Sequence, residues 1–328
     1  MSTYVVTGGC GFIGSYVIKE LLKSKDKDLY IYNIDKMGVG SSEENLVKDK
    51  RVENHIMDLA NNEHWRLNMA NPLDFIDKKI DYVIHLAAES HVDRSIDNPL
   101  SFVDSNLVGT AKILELVRKN KSRMVHVSTD EVYGHLGKDD PPFTEESPLV
   151  PRSPYSATKA GSDLLVQSYI ETFDINASIT RCCNNYGPRQ GDEKLIPTVI
   201  RSIVKGDKIP VYGTGENIRE WIHAEDHAKS IIEVLVKKTP SPLYNIPGSE
   251  IYTNIKLINL IIDELVSIFP KYKREVIGAR EEYIEFVTDR KGHDFKYELS
   301  TKHNLKSVKD QQKFSIEDTI RYYVNKYA

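Results

Sequence analysis

The 328-residue sequence predicts an α/β fold: a doubly wound parallel sheet with a smaller C-terminal α/β lobe. Three observations carry this. Short apolar runs alternate with helical patterns as far as residue 181. A glycine-rich turn separates the first run from the first helical pattern. Beyond residue 181 the alternation loosens, and proline and glycine recur at 187–188, 191, 197, 206, 210, 213, 215, 247 and 248.

Tyr4-Val5-Val6, Leu29 to Ile34, Tyr82 to Leu86, Met124 to Val127 and Ala177-Ser178-Ile179 are rich in β-branched and aromatic residues. Such runs mark strands buried on both faces. Helical periodicity occupies 12–24, 99–119 (Phe102, Val103, Leu107, Ala111, Leu114, Val117) and 154–173 (Leu164, Leu165, Tyr169). Strand–helix alternation folds into right-handed βαβ units and a parallel sheet. The length accommodates a nucleotide-binding domain, 1–181, followed by a lobe, 182–328. Helical patterns at 224–238 and 255–268, with the run Leu243 to Ile246, predict that segments about 220–246 return to the first domain.

Composition is that of an ordinary globular chain, with 40% hydrophobic and 28% charged residues and a formal net charge of −4. No basic run is long enough to neutralise a phosphate track, which argues against nucleic-acid and membrane partners. Cys10, Cys182 and Cys183 form no C-x-x-C pair, so neither a disulfide framework nor a metal site is expected. The first predicted strand begins within three residues of Met1, so no leader segment is expected and the predicted location is cytoplasmic.

Thr7-Gly8-Gly9-Cys10-Gly11-Phe12-Ile13-Gly14 follows the first strand and opens the first helix. Gly8, Gly11 and Gly14 at three-residue spacing allow a tight turn, close backbone approach to a pyrophosphate and close helix–strand packing. A glycine triplet alone is a weak signal; its place between strand and helix gives it weight. Asp35 ends the second strand twenty-one residues after Gly14, where a carboxylate accepts hydrogen bonds from a ribose diol and repels a 2′-phosphate. NAD is therefore expected rather than NADP. A loop-capping aspartate would read the same in isolation. Asp58-Leu59 would meet the adenine. Small residues in Leu86-Ala87-Ala88-Glu89-Ser90 leave room for a cofactor across the strand ends, although tight helix packing accounts for the alanines equally well.

Y-x-x-x-K occurs four times, from Tyr32, Tyr155, Tyr252 and Tyr322, so the bare motif decides nothing. Only Tyr155 opens a long predicted helix, with Ser128-Thr129 twenty-seven residues upstream at a strand end. Positions i and i+4 share a helix face, which sets Lys159 beside the phenol. A nearby cation favours the phenolate, so Tyr155 is the expected base, with Thr129 holding a substrate hydroxyl. Asp130-Glu131 would be solvated on most loops. Directly after Ser128-Thr129 they are expected to enter the crevice at the carboxyl end of the sheet. Two carboxylates in different surroundings divide acid and base roles.

The glycine motif, Tyr155-x-x-x-Lys159 and the chain length resemble the extended short-chain dehydrogenase/reductases. Closer likenesses are Leu86-Ala87-Ala88-Glu89-Ser90-His91-Val92-Asp93, Ser128-Thr129-Asp130-Glu131-Val132-Tyr133-Gly134, Arg181-Cys182-Cys183-Asn184-Asn185-Tyr186-Gly187-Pro188, Glu193-Lys194-Leu195-Ile196-Pro197 and Asp289-Arg290-Lys291-Gly292-His293-Asp294. Together they are similar to the nucleoside-diphosphate-glucose 4,6-dehydratases, of the dTDP-glucose or UDP-glucose type, over residues 3 to about 300.

The resemblance implies an internal redox cycle with retained NAD. Tyr155 takes the C4 hydroxyl proton, Glu131 removes the C5 proton and Asp130 protonates the departing C6 hydroxyl, giving a 4-keto-6-deoxy sugar. It further implies cofactor contacts from Gly8, Gly11, Phe12, Ile13, Gly14, Asp35, Lys36, Asp58, Leu59, Leu86, Ala87, Ala88, Glu89, Ser105, Tyr155, Lys159 and Asn185. Ser90, Thr129 and Asn184 would touch the sugar or its phosphates. Lys194, Leu195, Pro210, Tyr212, Arg219, Asn254, Arg290 and His293 would line the nucleotide end, the arginines pairing with pyrophosphate. A homodimer through helices 99–119 and 154–173 is also implied.

Two positions depart from the pattern. Arg189-Gln190-Gly191-Asp192 stands where these dehydratases usually carry an aromatic residue and Phe-Pro before Glu-Lys, and Cys183 replaces a common serine. A UDP-hexose 4-epimerase would share the fold, NAD and the Tyr/Lys pair without needing Asp130-Glu131. A non-catalytic nucleotide-sensing protein is the reading from another class. The intact Thr129, Asp130, Glu131, Tyr155 and Lys159 speak against it.

Overall fold

The computed structural model describes residues 2–24, 26, 28–60, 76, 78–272, 280–289 and 292–328. Its strands are β1 (Thr3–Thr7), β2 (Tyr30–Asp35), β3 (Val52–Ile56), β4 (Tyr82–His85), β5 (Arg123–Thr129), β6 (Ala177–Cys182), β7 (Asn184–Tyr186), β8 (Ile209–Tyr212), β9 (Ile218–His223), β10 (Leu243–Ile246), β11 (Glu250–Thr253) and β12 (Ile284–Val287). Seven of them form one sheet in the order β10-β6-β5-β4-β1-β2-β3, every neighbouring pair parallel.

Side chains alternate across each strand, and both faces are covered, which explains the uninterrupted apolar runs. Val6, Ile84 and Val125 pack with Val17, Ile18, Ile231 and Val234 of helices Phe12–Leu22 and Ala224–Leu235. Their neighbours Val5, Val83 and Met124 pack on the other face with Ile113, Leu114 and Val117 of helix Gly109–Asn120 and Val166 of helix Pro154–Phe173. A separate core joins helices Leu195–Lys205, Asn254–Ile268 and Glu317–Tyr327 to β8 and β9 through Ile200, Val211, Trp221, Ile261 and Tyr323.

Two local features aim side chains at the sheet's carboxyl edge. Helix Pro154–Phe173 starts with proline in its first turn and a capping box between Ser153 and Ser156, which places Tyr155 in the first turn. The predicted helix 99–119 is not uniform. Residues Val103–Val108 form a π-helical segment between Pro99–Phe102 and Gly109–Asn120. The wider turn carries Asn106, whose amide bonds both the backbone N–H and the carbonyl of Glu89. Such π segments recur where a helix serves a site.

Among the described residues no helix is long and apolar enough to cross a membrane, and no cluster of His, Cys, Asp or Glu is arranged to hold a metal ion.

Candidate active site

A cleft of about 310 Å³ runs across the carboxyl ends of the strands, over the switch point between β1 and β4. Its floor is the glycine turn. Gly8 has φ +74°, and a Cβ there would lie 2.8 Å from the backbone nitrogen of Ala87. A Cβ on Gly14 would stand 2.1 Å from the Gly8 carbonyl oxygen. The turn therefore needs glycine at both places. Asp35 is fixed at the adjoining strand end: Cys10 N–H donates to its Oδ2 (2.9 Å), and Met37 N–H (2.8 Å) and the Ser41 hydroxyl (2.9 Å) donate to Oδ1. Lys36 Nζ pairs with Glu89 at 2.7 Å, closing the cleft beside the small residues 87 and 88.

The opposite wall is the end of β5. Thr129 caps a single turn at Asp130–Tyr133: its hydroxyl accepts from Glu131 N–H (3.3 Å) and donates to Asp130 Oδ1 (3.1 Å). This presents two adjacent carboxyl groups in unequal surroundings. Asp130 is 2% exposed and its Oδ2 has no hydrogen-bond partner, whereas Glu131 is half-buried. Burial first, then the neighbouring charge of Glu131, push the Asp130 carboxyl well above the usual carboxylate range, which favours its protonated form.

Tyr155 is buried against the same wall and shares a hydrogen bond with Thr129. Lys159 follows one turn later and donates to the Val127 carbonyl at 2.9 Å. The expected depression of the phenol by Lys159 is not what the protein at rest has. Burial and then Glu131 push the Tyr155 phenol up, and burial brings the Lys159 ammonium down to about 8. Desolvation dominates both shifts because both groups are shut off from water, and the Lys159 ammonium is spent on the Val127 carbonyl. Behind Lys159, Asp163 accepts from Arg181 Nε at 2.8 Å and lies 3.5 Å from His126, one buried polar network beneath the helix.

Every residue expected to touch the cofactor lines this cleft, together with Ser90, Thr129, Asn184 and Lys194 from the substrate set and the acids Asp130 and Glu131. Leu195, Pro210, Tyr212, Arg219, Asn254 and His293 do not; Arg290 lies outside the described residues. Arg219, expected on pyrophosphate, turns inward instead. It is 5% exposed, its guanidinium donates to the carbonyls of Ile218 (2.7 Å), Phe295 (3.1 Å) and Asp294 (2.8 Å), and it stacks on Tyr297. Tyr212 and His293 stand together, 6.1 Å between ring centres, with His293 bonded to Asp289.

Several lining residues escaped the sequence reading. Ser41 secures Asp35 from a Gly38-Val39-Gly40-Ser41 turn, whose two glycines are a visible signal. His227 reaches the cleft from helix Ala224–Leu235 and Gln190 from the segment after β7, and both hold Asn185: His227 through its Oδ1 (2.9 Å), Gln190 through its carbonyl (2.8 Å). Their convergence depends on how β9 and helix Ala224–Leu235 pack, which no local pattern reveals.

The glycine turn admits a close-lying backbone or phosphate, and Asp35 presents a carboxylate for a ribose diol, so these residues fit NAD. Comparison with known proteins agrees. The family model described as GDP-mannose 4,6 dehydratase matches residues 5–322. A dTDP-glucose 4,6-dehydratase of Escherichia coli is 38% identical, covering 98% of this chain and 93% of its own length. The crystal structure of DesIV, a dTDP-glucose 4,6-dehydratase of Streptomyces venezuelae with NAD bound, superposes with a TM-score of 0.85 at 35% identity, covering 98% of this chain and 97% of the other. A UDP-glucose 4-epimerase of Thermotoga maritima shares the fold at a TM-score of 0.80 with 23% identity, covering 99% of this chain and 98% of the other. With a family model matched from its first strand to its last helix, and relatives alike in sequence and in fold over the whole length, the chain belongs to the GDP-mannose 4,6-dehydratase family.

Proposed function

We propose that the protein is an NAD-dependent hydro-lyase that converts dTDP-glucose or UDP-glucose to the 4-keto-6-deoxy sugar. The carrying observation is Asp130: a buried carboxyl with one oxygen unpartnered among the described residues, pushed toward its protonated form, beside half-buried Glu131 and within a cleft whose floor fits NAD. An oxidoreductase that only moves hydride has no use for a carboxyl held neutral there. Dehydration needs one, because hydroxide is a poor leaving group until it is protonated.

The roles follow from the surroundings. Asp130 delivers its proton to the C6 hydroxyl. Glu131, reached by solvent, accepts the C5 proton, which a C4 ketone renders acidic. Thr129 holds the C4 hydroxyl against Tyr155, and Tyr155 accepts its proton with Lys159 one turn below. When bound, NAD supplies the hydride acceptor for C4, the donor for C6, and in its cationic ring the positive charge that favours loss of the buried phenol's proton. Gly8, Gly11 and Gly14 leave room for the pyrophosphate, and Asp35 takes the ribose. Ser90, Asn184 and Lys194 face the sugar and its phosphates from the cleft. Tyr212 and His293, with Leu195, Pro210, Asn254 and Arg290, serve the nucleotide end, while Arg219 stays on the carbonyls of residues 218, 294 and 295; the paired rings of Tyr212 and His293 suit a base.

In this reading residues 1–181 hold the cofactor and 182–328 mainly the sugar nucleotide, with 220–246 returning: β10 joins the main sheet beside β6, and helix Ala224–Leu235 packs on Phe12–Leu22. The enzyme acts in the cytoplasm as a homodimer. Leu100 (72% exposed), Val103, Leu164 and Phe173 give helices 99–119 and 154–173 an apolar outer face suited to a four-helix bundle with a second copy.

The test is mass spectrometry of the protein incubated separately with dTDP-glucose and UDP-glucose without added NAD. Loss of one water from the sugar nucleotide is expected, and the faster substrate identifies the base. An unchanged mass with galactose formed would replace this reading by 4-epimerisation. No product even after NAD is supplied would point to a binding role.

A further inference from the structure

Cys182 ends β6 at the floor of the cleft and enters none of the steps above. Its sulfur accepts from Asn185 Nδ2 at 3.6 Å. The same Nδ2 donates to the Cys183 carbonyl at 3.0 Å, so Asn185 Oδ1 is an acceptor, and His227 Nδ1, 2.9 Å away, must donate to it. That fixes the tautomer and leaves the second ring nitrogen, Nε2, as the proton acceptor. His227 is 1% exposed, Nε2 is buried without a partner at ordinary hydrogen-bond distance, and the ring lines the cleft with Cys182 and Cys183. A thiol, an imidazole and an amide that orients the imidazole thus meet in one place, the grouping that makes a thiolate.

The electrostatics run the same way. Burial alone would push the Cys182 thiol up, but the nearby Cys183 and His227 and the Asn185 amide turn the balance and pull it below the ordinary thiol value. The groups facing it are Cys183 on its own strand, His227 from the helix, Asp130 from the end of β5 and Glu220 from β9. Burial raises the Asp130 and Glu220 carboxyls well above the usual range, which weakens the negative charge they set against a thiolate. Geometry separates the two sulfurs: Cys182 accepts from the Asn185 amide, whereas the Cys183 thiol is directed at the Asn184 carbonyl and is pushed up by burial.

We propose that Cys182 is a peroxide-reactive site, held between Asn185 and His227 where the cofactor cleft and the buried interior meet. The thiol proton passes to His227 Nε2, the thiolate attacks one oxygen of hydrogen peroxide, the O–O bond breaks, and the departing hydroxide takes that proton back from His227 to leave as water. The product is a sulfenic acid, which a thiol reductant reverses. It adds a polar oxygen to the cleft floor, so oxidation and cofactor occupancy oppose each other. None of this depends on which sugar nucleotide the enzyme uses.

The test is limited oxidation by hydrogen peroxide, of the holoenzyme as isolated and of protein stripped of cofactor, then trapping with dimedone and peptide mass spectrometry. Cys182 is expected to be trapped before Cys183 and Cys10, faster in the stripped protein, with His227→Gln slowing trapping at neutral pH by about tenfold. Should His227→Gln fail to fold, the pH dependence of iodoacetamide alkylation of the unmodified protein decides: a midpoint far below the ordinary thiol value of about 8.5 supports the pair. Trapping first at Cys10 or Cys183, no trapping of Cys182 in either form, an unchanged rate in His227→Gln, or an alkylation midpoint near the ordinary value would each overturn it.

Discussion

Along the carboxyl ends of β1, β2, β4 and β5, every expected cofactor contact lines a single cleft, whereas six expected substrate contacts in the smaller lobe lie outside it. The two regions differ in what aims a side chain. Around the cofactor most of these residues sit at or just beyond the end of a buried strand or in the opening turns of a helix, so their direction follows largely from their own element. In the smaller lobe direction depends on contacts between segments far apart in the chain. Arg219 shows the consequence: its guanidinium is drawn to carbonyls of residues 294 and 295, which only the tertiary fold brings near. The difference teaches that a motif specifies a site when the motif and its scaffold are the same piece of chain.

That contrast can be broken by substitution. The largest effect is expected from Asp130→Asn with Glu131→Gln, which should lower dehydration by about 10²- to 10⁴-fold or more while leaving transient NADH absorbance; dehydration at the original rate would remove the pair from the reaction. Tyr155→Phe should abolish both NADH formation and dehydration, and undiminished turnover would exclude Tyr155 as the base.

Gly8→Ala comes next, because a Cβ at φ +74° would collide with Ala87 N. A loss of about 1–3 kcal/mol in stability is expected, with little cofactor retained on purification. A variant that keeps both its melting temperature and its NAD would show the turn to be more tolerant than its geometry implies.

Lys159 makes a pH prediction. Its ordinary value is 10.5 and its value in the fold about 8, so turnover should fall as pH rises through about 8. Between about 8 and 10.5 the unfolded chain binds the extra proton, so this group's contribution to stability rises with pH over that window. Lys159→Met should flatten that rise in a pH series of chemical denaturation; an unaltered slope would assign the rise elsewhere.

The smallest effect sharpens the comparison from the other side. Arg219→Lys is expected to cost about 1–2 kcal/mol, since a compact ammonium cannot serve three carbonyls, with KM for the sugar nucleotide nearly unchanged. A large rise in KM without loss of stability would mean that Arg219 leaves those carbonyls for the diphosphate.

How much was legible follows the same division. The glycine turn, Asp35 and the Thr129-Asp130-Glu131 triplet announce themselves because strand, turn and helix are contiguous in the chain. Asn106 did not, since its π-helical setting only appears once the segment packs against residue 89. Nor did His227, which is carried to Asn185 by a helix more than forty positions downstream. For Tyr155, spacing sets Lys159 one turn away, but the burial that pushes the phenol up is set by the fold and not by spacing.

The sequence by itself determined the layered α/β fold, the place of the cofactor turn and the strand end that carries Thr129, Asp130 and Glu131, because apolar periodicity and short-range spacing act through neighbours along the chain. Tertiary structure alone decided which of two adjacent carboxyls is buried, which way Arg219 points, and that Cys182, Asn185 and His227 meet. These outcomes depend on desolvation and on contacts between distant segments, and neither exists until the chain has closed on itself.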